Sequence, residues 1–535
     1  MMEKHDQSNL MVLDYPYPSQ RMPVFASNVV ATSQPLAAQA GLRMLEKGGN
    51  AVDAAIATAI ALTVVEPTSN GLGSDLFALV WDGSTLHGLN GSGRSPAGWA
   101  PERFAGLKAM PETGWDSITV PGAVEAWARL SNRFGKLLFS ELFEPAIRYA
   151  RNGFQVGPIT SARWREAADT YRGFDEFRRA FLVDGKAPSA GQRFCCPDQA
   201  ETLDRIAESG GNGFYRGELA ARIDAASSAG GGALTLQDLD AHRSEWVDPL
   251  SITYRGVALH ELPPNGQGLA ALIALGILER FDMRQFAPDS TDSMHVQLEA
   301  MKCAFGVGFD HIADPDWMQT NPTRFLSDDF LDEQAQRIRL DRAATFAPLP
   351  PDRGGTVYLT AADADGWMVS LIQSNYLGFG SGIVIPGTGI SMQNRGHGFV
   401  LTEGHPNCVA GAKRPYHTII PAFVTRAGQP LMSFGVMGGH MQPQGHVQMM
   451  VRLFDYHQNP QTAIDAPRWM VDQDGGIALE PGCRTTVGEE LVKRGHRLVD
   501  DVPTYQFGGA QAIYCLDEGY CAASDPRKEG QAVGF

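Results

Sequence analysis

Apolar residues recur at three- and four-residue spacing through much of the first two thirds of the chain, a spacing that predicts helices. The longest such stretch, 36–65, is broken by Lys47-Gly48-Gly49-Asn50, a glycine stop followed by a new start, so two long antiparallel helices are expected. Helical spacing continues over 123–134, 139–152, 198–209, 219–228 and 291–314, with glycine clusters between. Residues 340–355, ending APLPPDRGG, carry proline and glycine without periodicity and predict an exposed, mobile, cleavable connector. After it the texture changes. Strand-like runs at 356–362 and 367–374 flank the turn residues Asp363-Ala-Asp-Gly366, and runs at 422–425 and 431–434 flank Arg426-Ala-Gly-Gln429. Helical spacing resumes over 444–456 and 485–495. Strands between helices predict a layered α/β sandwich, in which helices of the first part cover sheets completed by the second. No internal repeat or low-complexity tract is visible.

Composition narrows the classes. The chain has 535 residues, 43% hydrophobic and 19% charged, which suits a packed globular protein of one large unit or several domains. A net charge of −16 without a Lys/Arg run disfavours nucleic acid and anionic membranes as partners. Residues 1–20 lack the apolar core of a signal peptide, and 51–65, broken by Asp53 and Thr58, is too short to span a bilayer. It reads as a buried helix. Seven cysteines without CxxC or zinc spacing fit reduced thiols, and a cytoplasmic location is expected.

Candidate chemistry centres on Thr356. A threonine hydroxyl needs a base beside it, and the α-amino group of a chain-initial threonine can be that base, with an ordinary pKa of about 7.7–8.0. An internal threonine cannot use this device. Thr356 follows Gly354-Gly355 and opens a strand, which suits a cut between Gly355 and Thr356. On spacing alone, a threonine that merely begins a strand is the competing reading.

The order of motifs decides between them. Thr356, Asp365-Gly366, Phe379-Gly-Ser-Gly-Ile-Val384, Lys413-Arg-Pro415, Gly438-Gly439 and Ala523-Ser-Asp-Pro-Arg527 together resemble the γ-glutamyltranspeptidases, autoprocessing N-terminal-nucleophile hydrolases. The first part contributes Gly48-Gly-Asn-Ala-Val-Asp-Ala-Ala55, Val120-Pro-Gly122, Pro145-Ala146 and Pro263-Pro264. The resemblance implies a four-layer αββα sandwich built jointly by a large piece, 1–355, and a small piece, 356–535, paired as a heterodimer, with a dimer of such pairs left open. It implies Thr356 as nucleophile, Gly438 and Gly439 as the oxyanion hole, and Ser374 as a second hydroxyl that relays or orients the proton. Arg94 falls where the family's arginine grips a substrate carboxylate, and the substrate is a small-molecule amide. No cofactor and no metal are implied. His397, His405, His417, His440 and His446 show no ligand spacing.

Several positions depart from the family. Tyr376 stands where its pattern has asparagine, Arg395 where it has glutamine, Gly398 where it has the aspartate that holds the substrate ammonium, and Tyr416-His417-Thr418 where it has Leu-Ser-Ser. Tyr376, Arg395, His417 and Thr418 are therefore the expected substrate-binding residues. With an acid lost and a guanidinium gained, the expected donor carries a carboxylate without a neighbouring amine, of oxamate or glutaryl type. The short 400–412 spacer predicts that a lid loop is absent. A γ-glutamyl hydrolase or transpeptidase acting on glutathione, and an inactive binding scaffold, are the alternatives.

Overall fold

Two seven-stranded antiparallel sheets lie face to face, each backed by helices. The computed structural model describes residues 19–344, 355–472 and 474–535. The N-terminal stretch to residue 18 and connector residues 345–354, on which the expectations about a signal peptide and an exposed linker fall, lie outside the described residues.

The first sheet runs in the order Gln531–Gly534, Val29–Thr32, Gly355–Ala362, Met368–Tyr376, Asp75–Trp81, Leu86–Gly91, Glu245–Val247. The second runs Val24–Ala26, Tyr520–Ser524, Gly509–Cys515, Gln429–Met437, Ala422–Arg426, Val257–Glu261, Leu250–Tyr254. Both sheets thus combine strands from before and after residue 355. The sequence pattern places helices in the first part and leaves the sheets to be completed by the second, and it does not show that the first part supplies so many strands. Two of them, Val29–Thr32 and Asp75–Trp81, are buried on both faces and lack the alternation that marks a half-exposed strand.

Strand Gly355–Ala362 shows the layering residue by residue. Val357, Leu359 and Ala361 point to the helices, whereas Tyr358 and Ala362 point into the layer between the sheets with Phe77, Ile372, Phe423 and Ile513. The helices expected over 36–65 are Pro35–Glu46 and Ala51–Val65. Asn50 caps the second, accepting from Val52 and Asp53 N–H groups while the Asp53 carboxylate accepts from Asn50 N–H. That helix is buried along its whole length, and among the described residues no helix is long and apolar enough to cross a membrane. The hairpin turn has a second duty, because Asp363 accepts from Ala51 N–H (2.8 Å) and ties the turn to the helix start.

Several expected helices differ in extent: that of 291–314 ends at His311, and that of 485–495 runs Pro481–Lys493. Residues 139–152 divide into a 3-10 turn, Phe139–Phe143, and a helix, Glu144–Asn152, at Pro145, which lacks an N–H to continue the ladder. The helix expected from 444 begins at Met441, with Pro443 in its first turn, where an N–H has no intrahelical partner anyway. Helix Gly268–Leu278, packed on the second sheet beside Met441–Phe454, escapes the periodicity search because every residue in it is buried and no polar stripe marks a face.

The Ala523-Ser-Asp-Pro-Arg527 motif is structural. Buried Asp525 accepts from Arg468 (2.6 Å), from Ala510 N–H (2.7 Å) and from Arg527 N–H (2.8 Å), joining strand ends to the loop that leads into Trp469–Val471. Burial works against its charge, but Arg468 and Arg527 hold the carboxyl below its ordinary range. Asp525→Ala leaves Arg468 buried and unpaired and should cost about 3–5 kcal/mol, read as a lowered denaturant midpoint. Since the folded-state pKa is depressed, Asp525's contribution is present above the unfolded value near 4 and is lost as pH falls through the folded one, so the midpoints of wild type and Asp525→Asn should converge in acid.

Candidate active site

The pairing of Gly355–Ala362 with Met368–Tyr376 brings the main candidates together. Gly355 lies opposite Tyr376 and Val357 opposite Gln373, with the register shifting between them. Such a bulge re-aims a side chain. Buried Thr356 directs its Oγ1 to Ser374 Oγ at 3.3 Å, and Ser374 donates to the Gly355 carbonyl oxygen at 2.6 Å. That oxygen belongs to the peptide bond joining Gly355 to Thr356. Ser374 Oγ also accepts from Tyr376 N–H (2.8 Å) and from Arg395 Nη2 (3.4 Å). Gln442 Nε2 reaches Thr356 Oγ1 at 3.5 Å.

Tyr376 has φ of +77°, a left-handed conformation unusual for an aromatic residue and a mark of stored strain. Its ring lies beneath the Arg395 guanidinium, 4.2 Å from carbon to centroid. Arg395, fully buried, donates from Nη1 to Thr418 Oγ1 at 2.8 Å. Thr356, Ser374, Tyr376, Arg395 and Thr418 therefore form one connected cluster. At Gly398, where the family's pattern has an aspartate, an added Cβ would stand 2.7 Å from the Tyr416 carbonyl oxygen, so a side chain there requires the backbone to move.

Gly438 and Gly439 lie between strand Gln429–Met437 and helix Met441–Phe454, with φ of +125° and +56°. Only residues without a Cβ take up such a turn freely. Their carbonyls are tied back, Gly438 to Met441 N–H (2.9 Å) and Gly439 to Gln267 Nε2 (2.9 Å), which fixes the pair at the positive end of the helix. Gly438 and Thr356 line one cleft together with Glu66, Arg163, Tyr505 and Lys528.

His417 and Arg94 are placed otherwise. Both ring nitrogens of buried His417 are engaged inside the protein, Nε2 with Asp75 Oδ2 at 3.0 Å and Nδ1 with Ile419 N–H at 3.3 Å. Burial, with Arg395 and Arg414 nearby, pushes its pKa well below the ordinary value and keeps it neutral. Arg94 donates to buried Asp314 (2.7 Å) and to the Ala412 carbonyl (3.2 Å), and pairs at longer range with Glu245 and Asp316. Its hydrogen bonds do not join it to the cluster around Thr356. His397 bonds the Met110 carbonyl (2.7 Å), with its ring 6.0 Å from that of Tyr376. Residues 400–409 close on themselves through Val400–Asn407 and Val409–Val400 backbone bonds.

Gln442, Gln267 and Asp75 escape sequence reasoning. Gln442 follows the glycine pair by one turn, a signal readable once that pair is assigned. Asp75 meets Ser374 only through strand pairing and has no local signature. All seven cysteines are free. Among the described residues, His295, Glu299 and His496 are the group close enough to share a metal. Their atoms already bond one another, Lys302 and the backbone of Arg339 and Ala344, and the Lys302 ammonium 3.0 Å from His496 opposes a cation.

Residues 37–535 match the Gamma-glutamyltranspeptidase family. The chain is 38% identical over 518 residues to the glutathione hydrolase-like YwrD proenzyme of Bacillus subtilis, covering 95% of this chain and 98% of that protein. It is 34% identical over 516 residues to the oxamate amidohydrolase proenzyme of Klebsiella pneumoniae, covering 94% and 97%. The crystal structure of cephalosporin acylase from Bacillus halodurans superimposes with a TM-score of 0.94 at 46% identity, covering 98% of this chain and 99% of that one. Likeness of this extent spans nearly the whole chain and makes it a member of the γ-glutamyltranspeptidase family, with the N-terminal-nucleophile hydrolase fold.

Proposed function

We propose that this amide hydrolase cuts its own chain between Gly355 and Thr356 and then cleaves a small amide whose acyl part carries a carboxylate without a neighbouring ammonium. The observation that carries the reading is Arg395, a buried guanidinium bonded to Thr418 and Ser374 within one hydroxyl of Thr356. A guanidinium binds a carboxylate through paired N–H donors and repels an ammonium. Gly398 leaves no room for an acid that would attract one. One relative is an oxamate amidohydrolase, and oxamate carries a carboxylate and no ammonium. Arg94, held by Asp314, is assigned a supporting place at most.

The geometry suits both reactions. In the uncut chain, Ser374 donates to the Gly355 carbonyl and polarises it while the neighbouring Thr356 hydroxyl attacks the carbonyl carbon. The carbon–nitrogen bond breaks as the carbon–oxygen bond forms, and the nitrogen takes the hydroxyl proton. Water then hydrolyses the ester, leaving a Gly355 carboxylate and a free Thr356 α-amine. In turnover that amine accepts the hydroxyl proton, and Thr356 Oγ1 attacks the donor carbonyl. Backbone N–H groups of Gly438 and Gly439 receive the developing oxyanion. The leaving amine takes the proton, and water releases the acid.

Wild-type protein should separate on a denaturing gel into pieces of 355 and 180 residues, whereas Thr356→Ala should stay one chain and show no turnover. A single intact polypeptide in active wild-type protein would sink the mechanism. Ser374→Ala should slow the appearance of the two pieces by about 10²–10³-fold, the usual worth of one donor to a developing oxyanion, followed by mass spectrometry over time. Glutaryl-p-nitroanilide should be the better donor than its γ-glutamyl counterpart. Arg395→Gln should raise its KM by about 10–100-fold, as loss of a charged hydrogen bond of about 1.5–3 kcal/mol implies. The opposite donor preference would favour a glutathione-type activity.

A further inference from the structure

Asp75 is a buried carboxylate bonded to His417, the residue next to Thr418 of this cluster, and catalysis as proposed makes no use of it. It opens strand Asp75–Trp81 directly opposite Ser374. Its Oδ1 accepts from Gly122 N–H (3.2 Å) and Gly93 N–H (3.3 Å), while Oδ2 faces His417 Nε2 (3.0 Å). Because Ile419 N–H points at His417 Nδ1, the ring's proton lies on Nε2 and is donated to Asp75. His417 precedes Thr418, the residue whose hydroxyl takes the Arg395 guanidinium. Asp75, His417, Thr418, Arg395 and Ser374 thus link a buried negative charge to the nucleophile.

We propose that Asp75 is a positioning residue, the buried counter-charge that balances Arg395 through neutral His417 and weakens its grip on a donor carboxylate whenever Asp75 is ionised. A lone guanidinium taken out of water is costly, and an anion nearby offsets that cost. The same anion competes with an incoming carboxylate for the positive charge. Burial raises Asp75 to about 7, with Arg395 and Arg414 pulling the other way, so its charge changes within the working range. Arg395, Arg414 and His417 face it, and the phenol of Tyr215 lies within its field without ionising there. A free α-amine, such as cleavage would leave on Thr356, ordinarily titrates at about 7.7–8.0.

The proposal rests on Arg395 facing the donor carboxylate, and its test separates the two ideas. Competitive inhibition by glutarate is measured against pH for processed wild type and Asp75→Asn. The amine of Thr356 is common to both and cancels in the ratio. Below about pH 6 Asp75 is neutral and the inhibition constants should agree. Above about pH 8 it is charged, and wild type should bind glutarate roughly tenfold more weakly than Asp75→Asn. A ratio that does not change with pH, or weaker binding by Asp75→Asn throughout, overturns the proposal. Thermal melting at about pH 8 supplies the second arm, independent of substrate and of whether Asp75→Asn folds alone. Arg395→Met should lower the melting temperature by stranding Asp75, and adding Asp75→Asn should recover at least half of the loss. Additive losses in the double variant overturn the pairing. If glutarate binds neither protein, the donor reading falls and the melting cycle alone decides the counter-charge.

Discussion

One strand pairing governs the rest. The hairpin that sets Gly355 opposite Tyr376 also sets a hydroxyl beside a hydroxyl and a hydroxyl beneath a peptide carbonyl, all inside the protein and shielded from water on both faces. A slip of one residue would send Thr356 to the opposite face and dissolve the arrangement. The tightly packed flanking layers, with Val357 and Leu359 on one side and Tyr358 on the other, make such a slip expensive. Packing here does the work of alignment.

Polar groups in the cluster answer one another. Ser374 donates to Gly355 and receives from Tyr376 and Arg395, and Thr418 receives from Arg395 while its carbonyl takes the Gln267 side chain. Gln267 also steadies Gly439, so the guanidinium end and the glycine end of the site share a fixed post. In a low-dielectric interior, groups held this way need little reorganisation when charge develops.

Much of this was legible in the chain. The two leading helices, the hairpins at 363–366 and 426–429, and the sandwich follow from periodicity and turn residues, because those elements have contrasting faces or diagnostic breaks. Strands such as Asp75–Trp81 and the all-apolar helix Gly268–Leu278 are covered on every side and offer no contrast to read. Thr356, Ser374 and the glycine pair could be named from motif order. That Arg395 is buried against Tyr376 and that His417 turns inward to Asp75, more than 340 residues away in sequence, are outcomes of sheet pairing and have no local trace.

The mixing of early and late strands in both sheets has a consequence for a chain severed at residue 355. Neither fragment owns a complete sheet, so the halves are woven together and cannot part without unravelling both layers. Unfolding becomes dissociation, and reassembly a second-order encounter whose yield depends on dilution. The backbone break proposed to arm the nucleophile would thereby make the fold far easier to lose than to regain.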